Sequence, residues 1–327
     1  MPEEFRGNAG TMPGKCMQII FIPHFNSPIF AAEYSGRGVR HSVSNGNSPI
    51  FVAITTCKNM SFFENKVVVI TGGSDGIGKA LIEALIPLGA KVATCGRSHD
   101  KIYKLQMEYS NVMLHAIACD VSNEQECQRF IESTIDTFGG IDILINNAGI
   151  SMRALFIDSA TEVTRKVMEI NFLGAVYCTR YALPSILERK GAVVGVSSIA
   201  GYRGLPGRSA YSASKFALQG WLESLRTELL QSGVHVMWVC PGFTTSNIRH
   251  AALDSTGHAL GESILNEQKL MSAEVCAAHI IRAIEKRKRT LVLTFMGKVT
   301  VILNKVFPRL ADKLTYNHYY KKGELVN

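Results

Sequence analysis

Short runs of consecutive apolar residues recur through the middle of the chain, and stretches with helical spacing separate them. Strands that are buried on both faces of a parallel sheet have this continuous apolar character. The predicted strands are Lys66–Ile70, Ala90–Cys95, Val112–Ala118, Ile141–Ile145, Ala192–Val196, Val234–Val239 and Thr290–Phe295. Strands that alternate with helices predict an α/β fold, a doubly wound, seven-stranded parallel sheet with helices on both faces.

The segments between these strands differ in character. Thr161–Arg189 and the stretch from Ser209 to Gln231 have the apolar spacing of long helices. Ser122 and Gln125 have the spacing of a capping box at the start of a helix. Phe243–Met271 has mixed polarity and a glycine-containing turn, which predicts a flap over a pocket.

The two ends of the chain lie outside this repeating pattern. Residues 1–59 show neither helical nor alternating periodicity, so we expect a poorly organised extension that a chain starting at Met60 could lack. Residues 60–295 form the predicted domain, and residues 296–327 form a basic C-terminal extension. The early apolar run Met17–Phe25 contains Pro23 and His24 and is shorter than the roughly 20 residues that span a membrane.

The positive charge of the chain is concentrated in its tail. The formal net charge is +8, and residues 282–327 alone hold 11 basic and three acidic residues, which also gives +8. A body without excess positive charge argues against nucleic-acid binding. The eight cysteines are scattered, with no spacing typical of a metal site, which indicates reduced thiols in a cytoplasmic protein.

A glycine-rich turn follows the first predicted strand and precedes a helical pattern. Its sequence is Thr71-Gly-Gly-Ser-Asp-Gly-Ile-Gly78. In the context strand, glycine turn, helix, the glycines allow close approach of the backbone to a diphosphate, and the helix N-terminus offers free amides. This context predicts a dinucleotide-binding, Rossmann-type domain.

The end of the second strand bears on which dinucleotide binds. A carboxylate about 20 residues beyond the glycines would bind the ribose of NAD, but this chain has Gly96 followed by Arg97. An arginine there suits the 2′-phosphate of NADP. We therefore favour NADP(H), with NAD(H) as the alternative, and a solvated loop arginine is the other interpretation of Arg97.

The most informative pair of residues is Tyr211 and Lys215, which lie four positions apart in the sequence Ser209-Ala-Tyr-Ser-Ala-Ser-Lys215. On a helix this spacing puts both side chains on one face. A nearby ammonium favours the phenolate and lowers the pKa of a tyrosine towards the range useful for proton transfer. Ser198 lies 13 residues before Tyr211, at the end of an apolar run. A solvated surface pair is the alternative interpretation.

Taken together, the motifs resemble those of the short-chain dehydrogenase/reductase family, and the resemblance covers about residues 62–295 without gaps. They occur in the family's order: Thr71–Gly78, Asp120, Asn146–Gly149, Asn171, Ser198, Tyr211 with Lys215, and Pro241-Gly242. The body and tail also resemble members of that family with a short C-terminal extension.

The resemblance implies a role for each matching residue. Tyr211 would be the acid/base, Lys215 would lower its pKa and bind the nicotinamide ribose, Ser198 would bind the substrate oxygen, and Asn171 would hold a water in a proton relay. The implied cofactor-binding residues are Thr71, Gly72, Ser74, Gly76, Ile77, Gly78, Asp120, Asn147, Tyr211, Lys215 and Ser246, to which we add Arg97. Thr244 and Thr245 adjoin Ser246, so which hydroxyl meets the carboxamide stays open. No metal is implied.

We therefore expect an oxidoreductase that transfers a hydride between NADP(H) and a ketone or secondary alcohol. The candidate pocket residues are apolar and predict a lipophilic substrate, although they could equally serve as core or subunit contacts: Ile150, Met152, Leu155, Tyr202, Leu205 and Phe243. A dinucleotide-sensing protein without turnover is the alternative, and an epimerase or dehydratase is disfavoured by the short chain. By analogy with the family, we expect a homodimer or homotetramer.

The C-terminal extension has apolar residues at helical spacing from Val299 to Leu310, with lysines and arginines on the other side. One interpretation is a helix that lies on an anionic membrane surface, giving a cytoplasmic protein with peripheral membrane contact. The other is docking on a subunit or on the substrate lid. Pro308 interrupts the predicted helix.

Overall fold

The computed structural model describes residues 31–35, 38–42, 61–109, 113–245, 247–261, 270–321 and 323–325. The chain divides into two units, residues 1–60 and 61–327. In the first unit, β1 (Ala31–Ser35) and β2 (Gly38–Ser42) pair in antiparallel fashion. This pair lies in a segment whose sequence shows no regular periodicity. The second unit contains the candidate functional site.

The second unit is built around a seven-stranded sheet, as the apolar runs predicted. Its strands are β3 (Val67–Thr71), β4 (Lys91–Gly96), β5 (Leu114–Ala118), β6 (Ile143–Asn146), β7 (Ala192–Val196), β8 (His235–Cys240) and β9 (Thr290–Val292). Their spatial order is β5-β4-β3-β6-β7-β8-β9, and neighbouring strands are parallel. The order reverses between β3 and β6, where a doubly wound sheet opens a crevice at the carboxyl ends of its strands.

Helices cover both faces of this sheet. They are α1 (Gly76–Leu85), α2 (His99–Glu108), α3 (Glu124–Phe138), α4 (Thr161–Met168), α5 (Gly174–Glu188), α6 (Ser209–Glu228), α7 (Ala273–Glu285), α8 (Phe295–Val306) and α9 (Pro308–Tyr319). One core layer contains side chains of α3, α4, α5 and α6, and the other contains side chains of α1, α2 and α7. Each fully buried Leu or Ile contributes about 1.5–3 kcal/mol, so both layers hold the sheet in place.

Two helices differ from their sequence predictions. The predicted helix Thr161–Arg189 consists of α4 and α5 joined by a π-helical turn, Glu169–Leu173. The predicted capping box was wrong, because the side chain of Asn123, and not that of Ser122, caps α3 by accepting from the amide of Glu126.

The C-terminal extension packs on the segment that leads into α6. Predicted strand Thr290–Phe295 ends early, at Val292, and Thr294 caps α8. As expected, the helical run is interrupted at Pro308, which begins α9. β10 (Tyr320–Lys321) and β11 (Glu324–Leu325) follow and pair in antiparallel fashion.

Among the described residues, side-chain contacts of Arg203 and Asn304 join this extension to the body. Arg203 forms an ion pair with Asp312 at 2.7 Å, and it donates a hydrogen bond to Oδ1 of Asn304 at 3.0 Å. The amide of Asn304 donates in turn to the carbonyl oxygen of Tyr202 at 2.8 Å. Tyr319 is buried, with 5% of its surface exposed. The extension is therefore attached to the loop that precedes Tyr211.

Large apolar side chains of α8 and α9 nevertheless face outward. The exposed set is Phe295, Met296, Val299, Ile302, Val306, Phe307, Leu310 and Leu314. Lys298, Lys305, Arg309 and Lys313 are exposed on the same two helices. Among the described residues, no helix has the length and apolar character that would allow it to cross a membrane.

Candidate active site

The glycine-rich loop lies at the carboxyl end of β3, where the strand ends at Thr71 and α1 begins at Gly76. Gly72 and Gly76 have φ angles of +72° and +52°, in the left-handed region that favours glycine. A Cβ atom on Gly78 would overlap the carbonyl oxygen of Gly72. The loop therefore requires glycine at these positions, and its backbone forms a cradle that fits a diphosphate.

Asn147, which follows β6, holds this loop in place. Its side-chain nitrogen donates to the carbonyl oxygens of Thr71 and Gly72, at 2.9 and 3.1 Å. The hydroxyl oxygen of Thr71 accepts from the backbone amides of Asn147 and Ala148, both at 3.0 Å. Both amide hydrogens of the Asn147 side chain are used by the loop. Its contact with the adenosine part of a cofactor stays a prediction.

The other loop residues border the cradle. The hydroxyl of Ser74 lies against the end of β4, where a Cβ atom on Gly96 would be 3.0 Å away. Ile77 is half-buried and packs on the core layer of α1 and α7. Asp75 caps α1, and Lys101 forms an ion pair with it at 3.0 Å. The carboxylate at this helix N-terminus is therefore neutralised.

Arg97 and Asp120 follow the next two strands of the sheet. Arg97 comes directly after β4 and is exposed, and within the described ranges no carboxylate pairs with it. Asp120 comes after β5, and its Oδ1 accepts from the amide and hydroxyl of Ser122, at 3.0 and 2.7 Å. No carboxylate occupies the position after β4 that would bind the ribose of NAD. The cradle and this edge together fit a nicotinamide dinucleotide.

Tyr211 and Lys215 lie on α6 as predicted, and Lys215 is buried, with 4% of its surface exposed. The ammonium of Lys215 donates to the carbonyl oxygen of Val196 at 2.9 Å and lies 5.8 Å from the ring centre of Tyr211. The side chain of Ser198, just after β7, lowers the pKa of the Tyr211 phenol. The structure thus brings these three side chains together where β7 ends.

The electrostatics of this group differ from the simple expectation that Lys215 lowers the pKa of Tyr211. Burial raises the pKa of Tyr211, and the hydrogen bond with Ser198 and the charge of Arg208 oppose that rise. Burial lowers the pKa of Lys215 to about 8. The Tyr211 phenol is therefore protonated near neutral pH and available as a proton donor.

Asn171 lies in the π-helical turn, with 1% of its surface exposed. It exchanges two hydrogen bonds with the backbone of Ile150, at 2.8 and 2.9 Å, and its amide also donates to Ser214 at 2.9 Å. A Cβ atom on Gly149 would be 3.2 Å from Oδ1 of Asn171 and 3.4 Å from Nζ of Lys215. Gly149 therefore lies against both polar groups. π-helical turns are frequent at functional sites.

The segment after β8 contains the hydroxyl residues that were considered for the contact with the cofactor's carboxamide. Ser246 lies outside the described residues. Thr244 is buried and donates to the carbonyl oxygen of Gly242 at 3.2 Å, while Thr245 is exposed and donates to that of Met271 at 3.4 Å. The hydroxyls next to Ser246 are therefore both bonded within the protein.

The predicted pocket residues do not form one group. Ile150 and Met152 are buried in the core layer of α3 to α6, with 6% and 1% exposed, so they line the sheet core and not an open pocket. Tyr202 accepts a hydrogen bond from Trp238 at 2.9 Å. Leu205 lines a cavity of about 480 Å³ between the start of α6 and α9. Phe243 is 48% exposed.

Sequence reasoning missed two supporting residues. The side chain of Gln219 donates to the hydroxyl of Ser197 at 2.8 Å and to the carbonyl oxygen of Ser198 at 3.3 Å. Gln219 continues the face of α6 that carries Tyr211 and Lys215, and this four-residue spacing was an available signal. Asn304, in the extension, had no such signal, because its contact with Tyr202 depends on the tertiary fold.

Comparisons with known proteins agree with this geometry. The family model for short chain dehydrogenase matches residues 66–256. The rat protein "Dehydrogenase/reductase SDR family member 7B" is 35% identical over 288 residues, which cover 85% of this chain and 89% of the relative. An Anopheles gambiae protein, "Dehydrogenase/reductase SDR family protein 7-like", is 32% identical and covers 72% of this chain and 77% of its own length.

A solved short-chain dehydrogenase from Streptomyces avermitilis has a TM-score of 0.67 and 28% identity, covering 78% of this chain and 98% of its own. Its fold and the identity of the relatives agree with the family model. The chain therefore belongs to the short-chain dehydrogenase/reductase family, whose members are oxidoreductases that use a nicotinamide dinucleotide.

Proposed function

We propose that the protein transfers a hydride between NADP(H) and a lipophilic ketone or secondary alcohol, with Tyr211 as the acid/base. The observation that carries this proposal is the position of the Tyr211 ring 5.8 Å from the buried ammonium of Lys215, which is bonded to the end of β7 just before Ser198. This group lies at the same edge of the sheet as the glycine cradle. The bound dinucleotide supplies or accepts the hydride.

In the direction of reduction, the Tyr211 phenol donates its proton to the carbonyl oxygen of the substrate. The hydroxyl of Ser198 donates a hydrogen bond to the same oxygen and stabilises the charge that develops there. Lys215 holds a positive charge next to the phenol, and its pKa of about 8 allows it to exchange protons near neutral pH. Asn171 fixes the Ile150 backbone beside Lys215, and a water held there would complete the relay.

NADP(H) is favoured over NAD(H) because the first position after β4 carries Arg97 and no acid. A guanidinium without a carboxylate partner suits a 2′-phosphate. The cavity between the start of α6 and α9 forms a groove in which Leu205, Pro206, Tyr316 and Tyr320 lie among polar lining residues, and these four side chains would pack against an apolar part of the substrate.

We also propose a cytoplasmic protein whose outward apolar and basic side chains on α8 and α9 contact a membrane surface. The described cysteines are all free, which is consistent with a reducing compartment. In this proposal residues 60–295 are the catalytic domain, residues 1–59 are dispensable for turnover, and the chain forms a homodimer or homotetramer. Activity of a chain starting at Met60 and its mass by light scattering test these points.

The proposed reaction is tested with Tyr211→Phe and a matched control, Tyr103→Phe, in which an exposed tyrosine of α2 loses the same hydroxyl. We expect Tyr211→Phe to lower kcat by at least about 100-fold, since general acid catalysis contributes that much. NADPH binding, followed by its fluorescence, should change little.

Full turnover in Tyr211→Phe would contradict the role of the phenol. NADPH binding by the wild-type protein without turnover of any ketone or alcohol would instead support a dinucleotide sensor. The Tyr103→Phe protein should match the wild type in both measurements.

A further inference from the structure

Arg208 is a cation that the described part of the protein leaves without a partner. It directly precedes α6 and is half-buried, and its Nε is buried without a hydrogen bond. No ion pair or side-chain hydrogen bond to its guanidinium occurs among the described residues. A buried donor without an acceptor is destabilising, and more so when it is charged. Such a group is explained if a ligand supplies the acceptor.

Arg208 lies at the start of the helix that carries the proposed catalytic residue, three positions before Tyr211. Burial raises the pKa of Tyr211 and of Tyr319, and the positive charge of Arg208 opposes the rise in both. One phenol belongs to the proposed catalytic residue and the other to α9. The backbone of Arg208 is held by hydrogen bonds to Leu205 and from Ser212, at 3.1 and 2.8 Å.

A second arginine lies next to this segment. The amide of Ala154 donates to the carbonyl oxygen of Gly207 at 3.0 Å, so Arg153 and Arg208 each adjoin one end of this bond. Arg153 is half-buried, and its side chain also lacks a partner among the described residues. The nearby Arg203 differs, because Asp312 and Asn304 engage its guanidinium.

We infer that Arg208, with Arg153 beside it, binds an anionic group of the substrate, so that the substrate is a lipophilic carbonyl compound carrying a carboxylate or a phosphate. This inference rests on the proposed oxidoreductase function. A guanidinium offers paired donors that match either anion. The apolar part of the same molecule would occupy the groove against α9.

The test compares each anionic substrate with its neutral counterpart. A medium-chain keto acid is measured against its methyl ester, and a ketone bearing an alkyl phosphate against the parent keto alcohol. We expect Arg208→Gln to lower kcat/KM for the anionic member about tenfold or more relative to the neutral one. The loss should appear mainly in KM. The pair that shows the larger ratio identifies the preferred anion.

The ratio of kcat/KM for the anionic substrate to kcat/KM for its neutral counterpart cancels any general effect of the substitution on turnover. A change in Tyr211 or in loop packing would lower turnover of both members equally, and that outcome would overturn the inference. Arg129→Gln, on an exposed position of α3, is the control and should leave both ratios unchanged. A wild-type protein that turns over the esters and keto alcohols as well as the anions would also refute it.

A binding measurement separates this inference from the proposed reaction. Decanoate and decyl phosphate are compared with decanol by thermal shift, with NADP⁺ present and without turnover. One anion should stabilise the wild-type protein more than decanol does, and Arg208→Gln should abolish that difference. An equal shift by all three compounds would reject the anion site even if the protein proves to be an active oxidoreductase.

Discussion

Some polar side chains at the carboxyl edge of the sheet are hydrogen-bonded within the protein, and others are not. The amides of Asn147 and Asn171 are taken up by neighbouring backbone and side-chain groups, so these residues hold the site in shape. Lys101 is likewise paired with Asp75. Arg97 has no such partner among the described residues and remains available to a ligand.

Arg97→Gln tests the proposed preference for NADP(H). We expect KM for NADPH to rise about tenfold, because a charge-assisted hydrogen bond to the 2′-phosphate is lost, while KM for NADH changes little. Steady-state kinetics with both cofactors measure the difference. Lys104→Gln, on the exposed surface of α2, is the control for a general loss of charge. Equal rises for both cofactors would argue against a contact with the phosphate.

At the level of elements, the loop between β3 and α1 works because backbone groups approach each other more closely than side chains allow. A Cβ atom on Gly78 would overlap the carbonyl oxygen of Gly72 and the side-chain nitrogen of Asn147 at the first turn of α1. The same packing fixes the amides that would face a diphosphate. A single methyl group at Gly78 should therefore disturb both cofactor binding and the packing of the loop.

Gly78→Ala is expected to lower NADPH affinity at least tenfold and to destabilise the fold by about 1–3 kcal/mol, because the new Cβ forces the loop backbone apart. Fluorescence titration and urea unfolding measure the two effects. Gly204→Ala is the matched control, since an added Cβ there meets no atom within 4 Å. Unchanged NADPH affinity in Gly78→Ala would show that the cradle does not bind the cofactor.

Local patterns predicted the order of elements well, because each strand of a parallel sheet carries its own apolar run. The π-helical turn at Asn171 was not predicted. Such a turn differs from an α-helical turn by one residue, and the apolar spacing of Thr161–Arg189 also fits one continuous α-helix. Ser122 and Asn123 are both good capping residues, and tertiary packing decided between them. The isolation of Arg208 depends on which side chains surround it, which no local pattern contains.

At the scale of the whole molecule, one side of the C-terminal extension is attached to the body and the other side faces outward. One side is attached to the body through Ala311, Tyr319 and the ion pair of Asp312 with Arg203. The other presents large apolar side chains between exposed lysines and arginines. Apolar burial and attraction to anionic lipid act together on such a surface, so an anionic bilayer is the occupant we propose.

Binding to vesicles tests this surface. Ile302→Asp and Leu310→Asp replace side chains that are 64% and 47% exposed, and each should weaken binding to phosphatidylserine-containing vesicles about tenfold. Leu230→Asp, at a 73% exposed leucine outside the extension, should have no effect. Equal co-sedimentation of all variants with the vesicles would show that this surface does not bind the membrane. Variants that change the sedimentation coefficient without lipid would instead identify it as a contact between subunits.

The bonds of Arg203 with Asp312 and Asn304 have a thermodynamic consequence. They join the outward-facing extension to the loop that carries Arg208 and leads to Tyr211. Attachment of the extension to a surface and binding of substrate near Tyr211 therefore both act on the conformation of this loop. Linkage requires such coupling to be reciprocal. If attachment of α8 and α9 to a surface raises the affinity for substrate by some factor, then substrate raises the affinity for that surface by the same factor, and the enzyme would be retained where its substrate is abundant.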